Sequence, residues 1–163
     1  MTVETLTIPA QFPFPNSDYP VLLYRQVFSE QEATPEAFER LFAAKGWPQQ
    51  WRNGVFTYQH FHSTAHETLG FYSGWAELQL GGPEGPTLTV RAGDAVLLPA
   101  GVAHLNIRQG DGFRCVGAYL AGADVDLLRG DPDEYEAAVD RSAAVPIPNQ
   151  DPTTGESLGE LWR

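Results

Sequence analysis

Residues 60–67 read HFHSTAHE, His60 to Glu67, and hold three of the four histidines in a chain of 163 residues. The fourth, His104, follows PAGVA at 99–103. On a β-strand, residues i and i+2 face the same side about 6.5–7 Å apart, so His60 and His62 project together while Phe61 faces away. Two imidazoles placed in this way converge on one ion at about 2.0–2.2 Å. Glu67 follows after the next turn, and its charge offsets that of the ion. His104 opens a later strand and supplies a fourth ligand once the sheet curls. Three neutral nitrogens and one carboxylate suit one divalent transition metal (Fe, Mn, Ni, Co or Zn), with room for water or a substrate.

Working outward, strand-like runs bounded by turn residues surround the cluster: GVFTYQHFH (54–62), ETLGFYSG (67–74), WAELQLGG (75–82), TLTV (87–90), DAVLLP (94–99), HLNIR (104–108) and FRCVGAYL (113–120). Short strands at this spacing predict a mainly β sandwich or barrel. PVLLYRQVF (20–28) reads as an earlier strand. TPEAFERLFAAKG (34–46) carries helix punctuation: Thr34 as N-cap, Pro35 at the first helical position and Gly46 as the stop. DPDEYEAAVDRSAA (131–144) reads as a second short helix. A Pro/Gly-rich tail follows, expected to lie against the domain or a second subunit through Leu158, Leu161 and Trp162.

Two spaced stretches are more specific. Gly54 to Gly74 matches G-x5-H-x-H-x4-E-x6-G at every fixed position, and Gly93 to His104 matches G-x5-P-x-G-x2-H. The chain thereby resembles the cupins. With PNSDYPVLLY (15–24) and PIPNQDPTTG (146–155), it is similar over nearly its whole length to small single-domain bacterial cupins of the YjlB type. The resemblance implies a β-barrel or jelly roll (double-stranded β-helix) with one or two flanking helices and a metal near its centre. It also implies His60, His62, Glu67 and His104 as ligands. Because the first motif tolerates three or four residues before its acid, His66 is the alternative to Glu67. The two are adjacent and face opposite ways on a regular strand, so one of them is a ligand. If that is Glu67, His66 lies behind the ligands, at an interface or in a turn.

Strand alternation brings Tyr58 in beside the histidines, Leu69 and Phe71 in after Glu67, and Asn106 and Arg108 in after His104. An inward Arg108 suits a carboxylate or enediol; a strand irregularity after His104 would leave it in solvent. The function expected is metal-assisted binding of a small organic acid or sugar-like molecule. With Fe or Ni this extends to dioxygenase chemistry, and with Mn or Zn to isomerisation or decarboxylation. A non-catalytic binding or sensing protein is the alternative.

The bulk numbers fit one domain, 1–163, with a core at about 54–121, an N-terminal extension at 1–53 and a C-terminal helix and tail at 122–163. Ten basic against twenty-one acidic residues give a net charge of -11, which repels phosphate backbones and anionic lipid, so neither nucleic acid nor membrane is an expected partner. The opening MTVETLTIPAQF lacks a basic n-region and a long apolar run, so a cytoplasmic protein is expected. The single cysteine, Cys115, reads as a small buried hydrophobe, and the four tryptophans as packing or interface anchors. Exposed edge strands and the apolar tail predict a homodimer.

Overall fold

Strand pairing begins at the second residue. The computed structural model describes residues 1–162, in the order β1 (Thr2–Ile8), β2 (Ser17–Arg25), α1 (Pro35–Ala44), β3 (Gln49–Asn53), β4 (Glu67–Leu80), β5 (Thr87–Arg91), β6 (Ala95–Leu98), β7 (His104–Tyr119), a 3-10 turn (Pro132–Glu134), α2 (Tyr135–Ala144) and α3 (Leu158–Leu161). The strands pair antiparallel in the order β1-β2-β6-β4-β7-β3, with β5 on β4. β1 and β3 escaped the sequence reading because TVETLTI is mostly exposed and QQWRN is mostly polar.

The sheet closes on itself. Leu80 pairs with His104, thirteen residues along β4 from Glu67, and a straight strand would separate those two ends by roughly 43 Å at ~3.3 Å per residue. Yet Glu67 Oε1 lies 3.4 Å from His104 Nε2. The curl wraps an interior filled by Ile8, Val21, Leu69, Val90, Val96 and Cys115, one from each of six strands. The outer face has its own cover. Leu22, Tyr24, Leu97, Val116 and Ala118 point outward and pack under Phe38, Phe42, Trp47, Leu158 and Trp162. Each such large apolar side chain removed from water contributes about 1.5–3 kcal/mol.

β4 and β7 are each one long strand where the sequence suggested two. Gly74, with φ +70°, and the Asp111–Gly112 pair, with φ +56° and +70°, bend the two strands together without ending them. The bends also change which residues face inward. Along β4 the interior set is Leu69 and Phe71 before Gly74, but Ala76, Leu78 and Leu80 after it. GVFTYQHFH is not a strand. β3 occupies the edge of β7 from Cys115 to Tyr119, and the chain after Asn53 leaves strand pairing but touches β7 again where the Phe56 carbonyl accepts the Asn106 N–H at 2.9 Å and where His60 bridges to His104, while Phe61 bridges to Leu128.

Helix α1 starts where its capping residues place it: Thr34 Oγ1 accepts the Ala37 N–H at 3.1 Å, and Pro35 follows. Its buried face, Phe38 and Phe42, sits on the sheet's outer side. The tail folds back on its own sheet. Trp162 stacks on Tyr19 at 5.1 Å, and Tyr24 donates its hydroxyl to Asp151, whose carboxylate also accepts the Thr153 and Thr154 amides. Cys115 is fully buried. Among the described residues, no helix is long and apolar enough to cross a membrane.

Phe38 rests on Gly70 so closely that a Cβ there would stand 2.3 Å from its ring. Gly70→Ala is therefore expected to cost about 1–3 kcal/mol through overpacking. The urea midpoint should fall with the slope unchanged; an unmoved midpoint would show that the ring swings aside freely.

Candidate metal centre

Two of the four proposed ligands open strands, and His60 and His62 come from the irregular segment before β4. Glu67 is the first residue of β4 and His104 the first of β7; Tyr119 is the last of β7, beside Glu67 because Thr68 pairs with Ala118. His60 is held by a two-way bridge, its N–H to the His104 carbonyl at 3.2 Å and the His104 N–H back at 3.0 Å. All four proposed ligands are buried, at 2–9% exposure.

The orientation of the imidazoles is fixed from behind. His60 Nδ1 meets the Tyr58 carbonyl at 3.0 Å, His62 Nδ1 the Asp126 carbonyl at 2.5 Å and His104 Nδ1 the Val102 carbonyl at 3.0 Å. A carbonyl only accepts, so each Nδ1 carries its proton and each Nε2 is left for the centre. His62 Nε2 lies 3.3 Å from Glu67 Oε2, opposite the His104 contact on Oε1. Ligating atoms of His62, Glu67 and His104 all fall within 4.8 Å of one another. The His60 ring stands 4.1 Å from that of His104 and 6.1 Å from that of His62, lining the same cavity.

Charge follows the same geometry. Burial, with His104 beside it, pushes His60 down to about 3, so it is neutral near pH 7. Burial also works against a charged His62, but the Glu67 carboxylate outweighs it and raises the group. Glu67 is held well below the usual carboxylate range, its burial overcome by His62 and His104. Tyr119 donates its hydroxyl to Glu67 Oε2, and burial together with that carboxylate keeps the phenol protonated.

A strap after β7 clasps the cluster. Beyond the Asp126 carbonyl on His62, the Asp126 carboxylate accepts the Ser63 N–H at 2.6 Å, the Thr64 N–H at 3.3 Å and the Ser63 hydroxyl. Phe61 and Leu128 exchange backbone bonds at 2.9 Å each way. Arg141 of α2 donates to Ser63 Oγ at 2.8 Å. Nothing in the spacing of Asp126 pointed to this role, because it is set sixty-four residues away from His62 by the fold.

His66 belongs elsewhere. Its Nδ1 accepts the Ala100 N–H at 2.9 Å, and its Nε2–H donates to the Pro146 carbonyl at 3.1 Å. Both nitrogens are occupied, and Trp162 packs edge-on at 4.9 Å. Burial pushes His66 down to about 4, which keeps it neutral.

Beside the centre is a cavity of about 370 Å³. Leu69 lines it, as alternation predicted, but the other expected lining residues do not. Phe71 is in the closed core because the barrel interior is packed at that depth. Tyr58 lies off any strand, stacked with Phe56 at 4.9 Å under the Arg129 guanidinium at 3.7 Å. Asn106 is buried, its amide donating to Gln109, and does not reach the cavity. Arg108 faces outward, its side chain 70% exposed, bonded to Glu77 at 2.7 Å and lying over Trp75. The cause is a bulge: Leu78 pairs with Asn106 but Glu77 with Arg108, so Ile107 is extra and the facing reverses. The cavity is lined instead by Trp51, Val55, Phe56 and Tyr119. Trp51 is thus a cavity wall as well as a packing group. Tyr119 was accessible to strand alternation, since Phe113 and Cys115 face the interior and Tyr119 continues their parity.

No family model matches the chain. Among solved structures it is similar to an acireductone dioxygenase from Bacillus anthracis with a cadmium ion in its active centre (14% identity, 76% of this chain and 79% of that one, TM-score 0.42). It is also similar to RmlC from Streptococcus suis in complex with dTDP-D-xylose (12%, 74% and 70%, 0.39). A third is the DMSP lyase DddQ from Ruegeria pomeroyi DSS-3 (16%, 72%, 0.40), of which the chain spans 46%. Among curated proteins, the uncharacterized protein YjlB of Bacillus subtilis (strain 168) is 35% identical over 162 residues, covering 98% of this chain and 96% of that one. With both histidine motifs present and their side chains gathered inside a curled antiparallel sheet, the chain belongs to the YjlB family of cupins.

Proposed function

We propose that the protein binds one divalent transition-metal ion through His60, His62, His104 and Glu67, and a small molecule in the adjoining cavity. One observation carries this reading: three neighbouring imidazoles are each tied through Nδ1 to a main-chain carbonyl, and two of them, His62 and His104, turn Nε2 to the buried Glu67 carboxylate. Metal-binding histidines are oriented by this kind of outer contact, which fixes the tautomer and the ring together. The donor set of borderline nitrogens and one hard oxygen suits Fe, Mn, Ni, Co or Zn.

When bound, such an ion supplies Lewis acidity, and with iron or nickel it also supports oxygenase chemistry. The chain's own residues bind and exclude water. Leu69, Trp51 and Val55 present apolar surface, while Tyr119 holds a proton on its oxygen beside Glu67. Because Arg108 is outside, an organic acid here has no guanidinium from that position, and its carboxylate would be met by the metal. Turnover of a bound ligand separates an enzyme from a binding or sensing protein.

Elemental analysis of untagged protein should find close to one divalent ion per chain, with at least a tenfold loss in His104→Ala and Glu67→Ala. His66→Leu should keep the metal yet lose about 2 kcal/mol or more of stability, since two buried backbone groups lose their partner. Equal metal in the parent and His104→Ala would refute the ligand set.

Asp126→Ala releases the strap behind His62 without touching a ligand side chain. Metal affinity, measured by competition with a chromophoric chelator, should fall by about 10- to 100-fold. Unchanged affinity would mean that His62 keeps its orientation without the strap.

A further inference from the structure

We infer that the occupant of the cavity is a flat, apolar molecule, aromatic or similar, with at most one negative charge. The inference rests on the metal reading above and goes beyond it to the class of ligand. Three features of the cavity point there.

The first is its wall. Trp51, Val55, Phe56 and Leu69 line the cavity together with the histidines, and its surface is mostly apolar. The indole of Trp51 is fixed in place: its Nε1–H donates to the Tyr119 oxygen at 3.3 Å, and it lies on Gly117, where a Cβ would be 2.0 Å from the ring. The absence of a side chain at 117 lets this ring lie flat against β7. A flat wall held in place favours a flat partner.

The second is the rim. Phe56 is 47% exposed, yet it stacks on Tyr58 at an interplanar angle of 13°. Tyr58 is in turn covered by the Arg129 guanidinium. An exposed phenylalanine held in a stack at the mouth of a cavity is preorganised to receive an apolar surface, and its exposure costs solvation until something covers it.

The third is charge. Among the described residues lining the cavity, Arg52 carries the one permanent positive charge, and it is already engaged. Its Nε and one terminal nitrogen donate to the two Glu39 oxygens at 2.8 and 2.7 Å, and Glu36 lies 3.6 Å away. Apart from the metal itself, a phosphate or a dicarboxylate would find no unpaired cation among the lining residues, and the one guanidinium at the rim, Arg129, lies over the Tyr58 ring. The volume, near the low end of the roughly 300–1,000 Å³ usual for ligand sites, also suits one ring better than a nucleotide.

The test uses the metal-loaded full chain, its metal content measured first, and three probes followed by titration calorimetry: benzohydroxamate, acetohydroxamate and inorganic pyrophosphate. Both hydroxamates offer the same chelating pair, so their difference reads the wall alone. Benzohydroxamate should bind at least about tenfold more tightly than acetohydroxamate, as expected for burying one ring. The gap should narrow to about threefold or less in Trp51→Ala, and also in Phe56→Ala, whose exposed site leaves folding intact. Equal affinities on loaded protein, or pyrophosphate binding more tightly than benzohydroxamate, would overturn this inference and leave the metal reading standing. Failure of the parent to retain metal would overturn both.

Discussion

The constraint on which the structure turns is one buried carboxylate. Glu67 is 3% exposed, and an ionised acid taken from water without partners is too costly for a domain of marginal stability to carry. It stays charged because the Tyr119 hydroxyl and the His62 and His104 Nε2 atoms surround it. Those partners come from the start of β7, from its end and from the bridged segment before β4. Holding Glu67 therefore means closing the sheet. The site and the barrel are one energetic unit, and a divalent ion at its centre would supply the carboxylate's counter-charge.

Closure of two long strands needs irregularity, and the irregularities decide which side chains meet. A regular β7 would have aligned His104, Asn106 and Arg108 on one face. The extra residue at Ile107 keeps the first two buried and turns Arg108 outward onto Glu77. The bend at Asp111 and Gly112 then brings Phe113, Cys115 and Tyr119 to the interior, which is how the phenol reaches Glu67. In β4 the turn at Gly74 makes the corresponding change of parity.

This explains which parts of the molecule were legible beforehand. Signals that act within a few residues could be read: Thr34 and Pro35 start α1, the stretch from Asp131 holds α2, and the two histidine motifs bring His62, Glu67 and His104 within 4.8 Å of one another. Fold class followed from the same short-range punctuation. What could not be read was set by partners distant in sequence. β3 is a strand because β7 has a free edge beside it, although QQWRN has little strand character of its own; the segment Gly54 to Gln59 that follows it forms no strand, and Trp51 and Phe56 become walls of the cavity. The inward set after His104 failed for a related reason. Alternation is reliable only until the first bulge, and a bulge leaves no local mark at Ile107.

HFHSTAHE is therefore a cluster with two jobs, separated by how many imidazole nitrogens the protein itself consumes. His60 and His62 each give only Nδ1 to a backbone carbonyl, while His66 gives both nitrogens to the backbone, one to Ala100 and one to Pro146. A histidine satisfied twice has nothing left to offer an ion, and its neutral form is the one that fits, as an acceptor at one nitrogen and a donor at the other. Its work is to join the PAGVA turn before His104 to the tail under Trp162. The same short stretch thus aims two rings at the centre and locks the layer behind it. Its crowding of histidines has this cause: the proposed ligands and the histidine that fastens the layer behind them leave the chain within seven residues of each other.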